Sequence, residues 1–310
     1  MEGAADHFAT LVALTLAAGT PLVFAALGEL MTEKSGVLNL GVEGMMLVGA
    51  VVSFIVAATT RQPWLGALAG AAAGAAMAAI FGALTLSLMA NQVATGLALS
   101  LFGVGLSAFI GQAYVSVMIA GVKPLSIPGL SNLPVIGKLL FAHSPFVYLS
   151  LLLCALVHAF LYRTRAGLVV RAVGESAGSA YALGYPVVAI RYFAVMFGGA
   201  CAGLGGAYMA VAYTPLWTEN MTAGRGWIAL ALVVFATWKP ERVLAGAYLF
   251  GGVTLVQFQA QAMGIAVPSQ ILSMLPYLAT IVVLTIISRD AATIRLNAPA
   301  SLGKPFHPDT

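Results

Sequence analysis

Residues 62–122 contain no Asp, Glu, Lys or Arg, an unbroken stretch of 61 residues. Shorter runs of the same kind cover 243–288, 192–218, 139–162 and 7–28, with 46, 27, 24 and 22 residues. Soluble domains carry about 25% charged residues; this chain of 310 carries 8%, with 61% hydrophobic. A water-soluble enzyme is excluded by that deficit, and disorder by the ample apolar surface available for burial. A helix crosses a bilayer core with about 20 apolar residues, so the two longest runs hold two passes each. Lipid offers the backbone no hydrogen-bond partner, which leaves helices or closed barrels. The runs are continuous, not alternating, and helices follow.

The chain therefore reads as an all-α polytopic membrane protein with about nine (eight to ten) transmembrane helices. The expected passes are 9–30, 37–59, 65–90, 92–111, 145–162, 191–213, 222–238, 243–263 and 271–288. One membrane domain occupies 1–290, with a loop at 163–191, and 291–310 forms a loose tail. The start Met1–His7 is acidic and lacks the basic region of a cleaved leader. Nine passes place Lys34, Arg163, Arg165, Arg171, Arg191, Lys239, Arg242, Arg289, Arg295 and Lys304 on one side. Arg61, Lys123, Lys138 and Arg225 fall on the other. Ten basic residues against four put the tail and the 163–191 loop in the cytoplasm and the N-terminus outside. The net charge of +4 is thus a topology signal, and no basic stripe interleaved with aromatics suggests nucleic acid.

Three polar segments interrupt the apolar pattern. Ser35-Gly-Val-Leu-Asn39-Leu-Gly-Val-Glu43-Gly44 opens the second pass, Asn91-Gln92 lies at the turn before the fourth, and Glu219-Asn-Met-Thr222-Ala-Gly-Arg225-Gly226 precedes the seventh. From Trp227 to Trp238 only twelve residues remain before Lys239-Pro240. At a rise of 1.5 Å per residue that is about 18 Å, too short for a core of about 30 Å. The seventh pass is either discontinuous or begins inside the polar segment, the usual pointer to a transport pathway. Asn39, Glu43, Asn91, Gln92, Thr222 and Arg225 are the candidates for lining a solute path. For Glu43, Asn39 and Arg225 a structural reading is equally open, Glu43 lying near a membrane boundary or capping a helix as structural glue, and for Asn91 and Gln92 a plain turn is the favoured reading.

Gly66, Gly70, Gly74, Ala78 and Gly82 make one face of the third pass nearly flat, and Gly199, Gly203 and Gly206 repeat the device in the sixth. Such faces let backbones approach closely, which suits plain packing or helices that slide and rock. Cys154 and Cys201 lie in apolar spans and read as buried, inert thiols. The four histidines are scattered with no ligand spacing, so no metal site is expected.

In the 163–191 loop, Glu175 precedes a run of small residues that ends at Gly184-Tyr-Pro186. This describes one short helix with a glycine stop. It is either a connector or a helix that lies along the membrane and docks into another protein. No phosphate-cradling Gly-x4-Gly-Lys-Ser/Thr loop and no His-Glu-x-x-His occurs. No catalytic residue and no cofactor are assigned, and nucleotide energy, if used, comes from a separate chain.

The segment Leu27–Ala50, the segment Thr222-Ala-Gly-Arg-Gly-Trp-Ile-Ala-Leu-Ala231, and the series Arg171–Glu175, Ala180, Gly184 and Arg191 occur in one order. Together they resemble ABC-transporter permeases of the ribose/nucleoside/branched-chain amino acid class, closest to the simple-sugar and nucleoside branch. The resemblance implies a permease subunit of a bacterial ATP-driven importer for a small polar solute. Nucleosides or simple sugars are the implied cargo, with branched-chain amino acids as an alternative. It implies multi-pass residence in the inner membrane and three protein partners besides membrane lipid: a cytoplasmic ABC ATPase, a second permease subunit and an extracytoplasmic substrate-binding protein. Glu175, Ala180 and Gly184 become the ATPase-coupling positions, Glu175 standing further upstream than in the stricter motif. An ion-coupled secondary transporter is the rival class, for which Glu43 is the one reasonable intramembrane acid.

Overall fold

The computed structural model describes residues 2–125, 137, 141–263, 268–288 and 297–307. The described elements are helices, with two isolated bridge pairs, Val115 with Trp217 and Met118 with Leu216, in place of a sheet. Among the described residues, seven helices are long and apolar enough to cross a membrane. They are α1 (Glu2–Lys34), α2 (Val42–Thr60), α3 (Pro63–Gly82), α4 (Gln92–Gly111), α5 (Pro145–Arg163), α8 (Val187–Tyr208) and α10 (Pro240–Ala262). Between α5 and α8 lie α6 (Arg165–Glu175) and α7 (Ala177–Ala182).

The two remaining expected passes are shorter. The pass placed at 222–238 is the 11-residue α9 (Arg225–Phe235). It cannot begin earlier because Asn220, Ala223 and Gly224 all have positive φ. The pass placed at 271–288 is divided into α11 (Ser269–Ser273) and α12 (Leu275–Ser288). Pro276 in the first turn has no N–H to give to a continuous ladder.

The centre of the bundle is α8, packed on α1, α2 and α3. The two flat faces seen in the sequence meet each other there. A Cβ on Gly74 would strike the carbonyl oxygen of Gly199 and come within 2.8 Å of Gly203 Cα; one on Gly49 would strike Gly203. With no hydrophobic drive between helices in lipid, dispersion at such backbone-to-backbone contacts holds them together.

Contacts also give depth. A Cβ on Gly44 would lie 2.8 Å from Ser100 Cα, and one on Gly103 would lie 2.5 Å from Gly44 Cα. Ser100 and Gly103 are midway along α4, so α2 starts halfway across the bundle. The non-helical stretch 35–41 is a re-entrant elbow that climbs from the end of α1 to that level. Residues 297–307, read from sequence as part of a loose tail, instead lie hydrogen-bonded against the end of the bundle that carries α6 and α7. Residues 289–296, after the expected last pass, and 308–310 of the tail fall outside the described residues.

Candidate functional site

An elbow inside a membrane must satisfy its backbone without water. Side chains do so here. Leu38 N–H donates to Gln92 Oε1 at 2.9 Å, and Asn39 N–H to Glu29 Oε1 at 3.1 Å. Ser100 Oγ donates to Leu40 O at 2.8 Å. The Asn39 side chain folds inward, its Oδ1 accepting from Gly41 N–H at 2.9 Å. Asn39 and Gln92 are thus buried braces of the elbow. Asn91 is the N-cap of α4, accepting from Ala94 N–H at 3.0 Å, the local use for which its short amide suits it.

The elbow ends at Glu43, the second residue of α2, with a side chain only 3% exposed. Its carboxylate gathers donors from the polar segment far along the chain. Thr222 Oγ1 donates to Oε1 at 2.5 Å, Gly224 N–H to Oε1 at 2.9 Å, and Gly226 N–H to Oε2 at 2.6 Å. The two amides are among the orphan donors at the start of α9, and the N-terminal end of a helix dipole favours an anion. Of the two readings of Glu43, the geometry displays the cap, and the cap joins the two polar segments. The approach is close: a Cβ on Gly226 would sit 2.5 Å from Glu43 Cα. The Arg225 guanidinium folds back, Nη1 donating to Met221 O at 3.4 Å and Thr222 O at 3.2 Å.

The far end of α9 is pinned as well. Trp238 Nε1 donates to Glu33 Oε2 at 2.5 Å, with both residues buried. Sequence reasoning missed Glu29, Glu33 and Trp238. The available signal was two acids four residues apart at the end of the first apolar run, on one helix face.

A cavity of about 560 Å³ opens over the start of α9. Arg225, Tyr213, Thr214, Thr218, Thr254, Gln257 and Tyr277 supply its polar side chains, and Met209, Ile228 and Phe258 part of its apolar wall. Tyr277 OH donates to Ala223 O at 3.0 Å, holding α12 against the α9 entry. Thr254 and Gln257 belong to the half of α10 away from Trp238, so the cavity occupies the half of the bundle opposite α6 and α7. Of the six candidates from sequence, Arg225 lines this cavity; Thr222 and Glu43 form the buried floor that places it; Asn39, Gln92 and Asn91 serve the elbow and α4.

At the other end, Thr164 caps α6 through Gly167 N–H (3.0 Å), and Ser176 caps α7 through Ser179 N–H (3.2 Å). The single helix expected from Glu175 to Gly184 is therefore broken at Ser176. Glu175 closes α6, because the Ser176 backbone is extended to serve as a cap. The expected glycine stop is present: Gly184 has φ +86°, its N–H donates to Tyr181 O, and Tyr185 N–H donates to Ala180 O, the paired bonds of a Schellman ending. Ala180 is buried against Val173, Ala177 and Val187. Leu183 is 78% exposed, beside exposed Tyr181 and Tyr185.

Residues 11–285 match the family described as branched-chain amino acid transport system / permease component. TsgC13 of Haloferax volcanii, provisionally named a glucose ABC transporter permease protein, is 43% identical over 95% of this chain and 96% of its own. NupC of Lactococcus lactis subsp. cremoris, a nucleoside ABC transporter permease protein, is 34% identical over 89% of this chain and 91% of its own. NupQ of Bacillus subtilis, a guanosine ABC transporter permease protein, is 34% identical over 96% of each chain. No solved structure matches the chain.

Proposed function

The chain belongs to that permease family and is the multi-pass membrane component of an ABC transporter; from this premise we propose that it passes an uncharged, ring-bearing polar solute, of the nucleoside or simple-sugar class, through the cavity over α9. The observation that carries the reading is a helix that starts at mid-depth, its N-terminus fixed by Glu43 and its first side chain, Arg225, facing a cavity. Discontinuous helices of this kind mark the solute sites of membrane transporters.

The chemistry of the walls favours that class. Tyr213, Phe258 and Tyr277 offer ring faces, and Thr214, Thr254 and Gln257 offer neutral hydrogen-bonding groups. No carboxylate among the described residues lines the cavity. Glu43 has its oxygens occupied by three donors, so an amino acid's ammonium group finds no partner there, which speaks against branched-chain amino acids.

In operation, an extracytoplasmic binding protein delivers the solute to the cavity mouth, and a cytoplasmic ATPase dimer presses on α6 and α7. Two permease subunits rock between outward- and inward-facing states. The excess of basic residues at the α6–α7 end supports its cytoplasmic placement. The exposed Leu183, Tyr181 and Tyr185 on a rigid Schellman turn suit docking into an ATPase groove. Because delivery selects the cargo, weak binding in the cavity suffices. The test is uptake of labelled guanosine and labelled glucose into proteoliposomes holding the permease, its ATPase and its binding protein. ATP-dependent entry of one of them, lost in Arg225→Ala and partly kept in Arg225→Lys, is the expected result. Uptake by Arg225→Ala equal to the parent would refute the path.

A further inference from the structure

The stretch 297–307 makes bonds that its composition does not announce. Ser301 N–H donates to Gly174 O at 2.9 Å, and Ser301 Oγ reaches the same carbonyl at 2.5 Å, so the segment is bonded to the last turn of α6. Gly303 N–H donates to Gly36 O at 3.1 Å, and Lys34 Nζ donates to Asn297 O at 2.8 Å, so it is equally bonded to the start of the elbow. The Phe306 ring lies 5.6 Å from that of Tyr181 on α7.

One side chain gathers these parts. Arg191, near the start of α8, is 1% exposed. Its Nε donates to Ser35 O at 3.2 Å, Nη1 to Lys304 O at 3.3 Å and Nη2 to Ser301 Oγ at 3.4 Å. A buried guanidinium is costly unless its donors are met. Here neutral acceptors on the elbow and on the segment meet them, so neither can shift without uncovering the charge. Space is tight too: a Cβ on Gly36 would lie 2.5 Å from Ser301 Oγ and 3.0 Å from Arg191 Nη2.

The connections form one continuous physical route. It runs from Tyr181 on α7 through Phe306, Lys304 and Ser301 to Arg191 and Gly36. From there it follows the elbow to Glu43, and across the Glu43 bonds to Gly224 and Gly226 at the mouth of α9. We infer that residues 297–307 are a transmission strap, with Arg191 and Ser301 as positioning residues that deliver displacement of α6–α7 to the elbow and so to the cavity floor. The inference rests on the proposal that α6–α7 face the ATPase. A route through packed two-state elements needs a measured coupling to support it.

The experiment uses the complete transporter in proteoliposomes and reads solute moved per ATP hydrolysed. The variants are a chain ending at Leu296, Ser301→Ala, Phe306→Ala, and Arg191→Ala beside Arg191→Lys. The shortened chain is expected to co-purify with its ATPase, to keep basal hydrolysis, and to lose about tenfold in solute per ATP, within the range such coupling mutations produce. Ser301→Ala and Phe306→Ala lose less, and Arg191→Lys recovers part of what Arg191→Ala loses. A parental ratio in the shortened chain overturns the strap. If that chain fails to assemble, parental ratios in both Ser301→Ala and Phe306→Ala overturn it equally. A Leu183→Cys variant, cross-linked through its exposed thiol, separates the two readings. Capture of the ATPase alongside an unchanged ratio defeats the strap alone, whereas absence of capture defeats the ATPase-facing reading and the strap with it.

Discussion

Glu43 and Gly226 stand 183 positions apart in sequence, yet the Gly226 N–H donates to the Glu43 carboxylate at 2.6 Å. Through that bond and its two neighbours the first polar segment serves as the cap of the last. Glu43→Gln replaces one acceptor oxygen by a donor NH2, which must face either Gly226 or the pair Thr222 and Gly224. A hydrogen bond to a charged group contributes about 1.5–3 kcal/mol, so ATP-driven uptake should fall at least about tenfold with the complex still assembled. Glu43→Asp, one methylene short, should fall between. Parental uptake by the Gln variant would show that the cap is dispensable.

Trp238→Phe keeps an aromatic ring but gives up the pyrrole part of the indole, and with it the donor to Glu33. An orphaned buried oxygen costs about 1–3 kcal/mol, so the purified variant should melt several degrees lower. Glu33→Gln retains an acceptor and should lose less. Equal melting of Trp238→Phe and parent would mean that the far end of α9 is held by something else.

Two glycines give a matched pair. A Cβ on Gly74 strikes Gly199 O, whereas one on Gly105 meets nothing within 4 Å. Gly74→Ala should lose about 1–3 kcal/mol through overpacking, and Gly105→Ala should gain slightly if anything from better helix propensity. Thermal unfolding of both in detergent decides; indistinguishable midpoints would contradict the contact.

Gly184 separates shape from size. At φ +86° a branched residue is strained by about 1–2 kcal/mol, whereas Asn tolerates the region. On the proposal that this turn docks on an ATPase, Gly184→Val should abolish stimulation of that ATPase by a loaded binding protein, and Gly184→Asn should preserve most of it. Full stimulation in the Val variant would remove this turn from coupling.

Charge-free runs carried the fold because burial in lipid writes itself into composition: the long helices α1–α5, α8 and α10 were all legible as apolar stretches. The brevity of α9 was legible for the same reason, since Lys239-Pro240 arrives too soon after Arg225. Pairings were not legible. Nothing in the sequence near Glu43 says that its partners are Thr222, Gly224 and Gly226, because hydrogen bonds between distant segments leave no periodic trace. Glu29 and Glu33 were overlooked for the opposite reason: at a span end they resemble ordinary interfacial charges until Asn39 and Trp238 are seen against them. The 297–307 segment was misread because Pro, Ser and Gly describe a chain without its own core, not one that borrows its neighbours' carbonyls.

The glycines shared by α2, α3 and α8 permit less motion than smooth faces suggest. Where backbone rests on backbone there is no side chain to re-rotamerise, so a slip of a fraction of a helical turn drives atoms into overlap. These three helices must therefore travel as one solid block, a stator. Glycine contacts of the same kind tie α10 to α1, where a Cβ on Gly251 would strike Thr15 O, and α9 to α2, where one on Gly226 would strike Glu43, so opening of the passage falls to α12, which leans on the α9 entry through Tyr277.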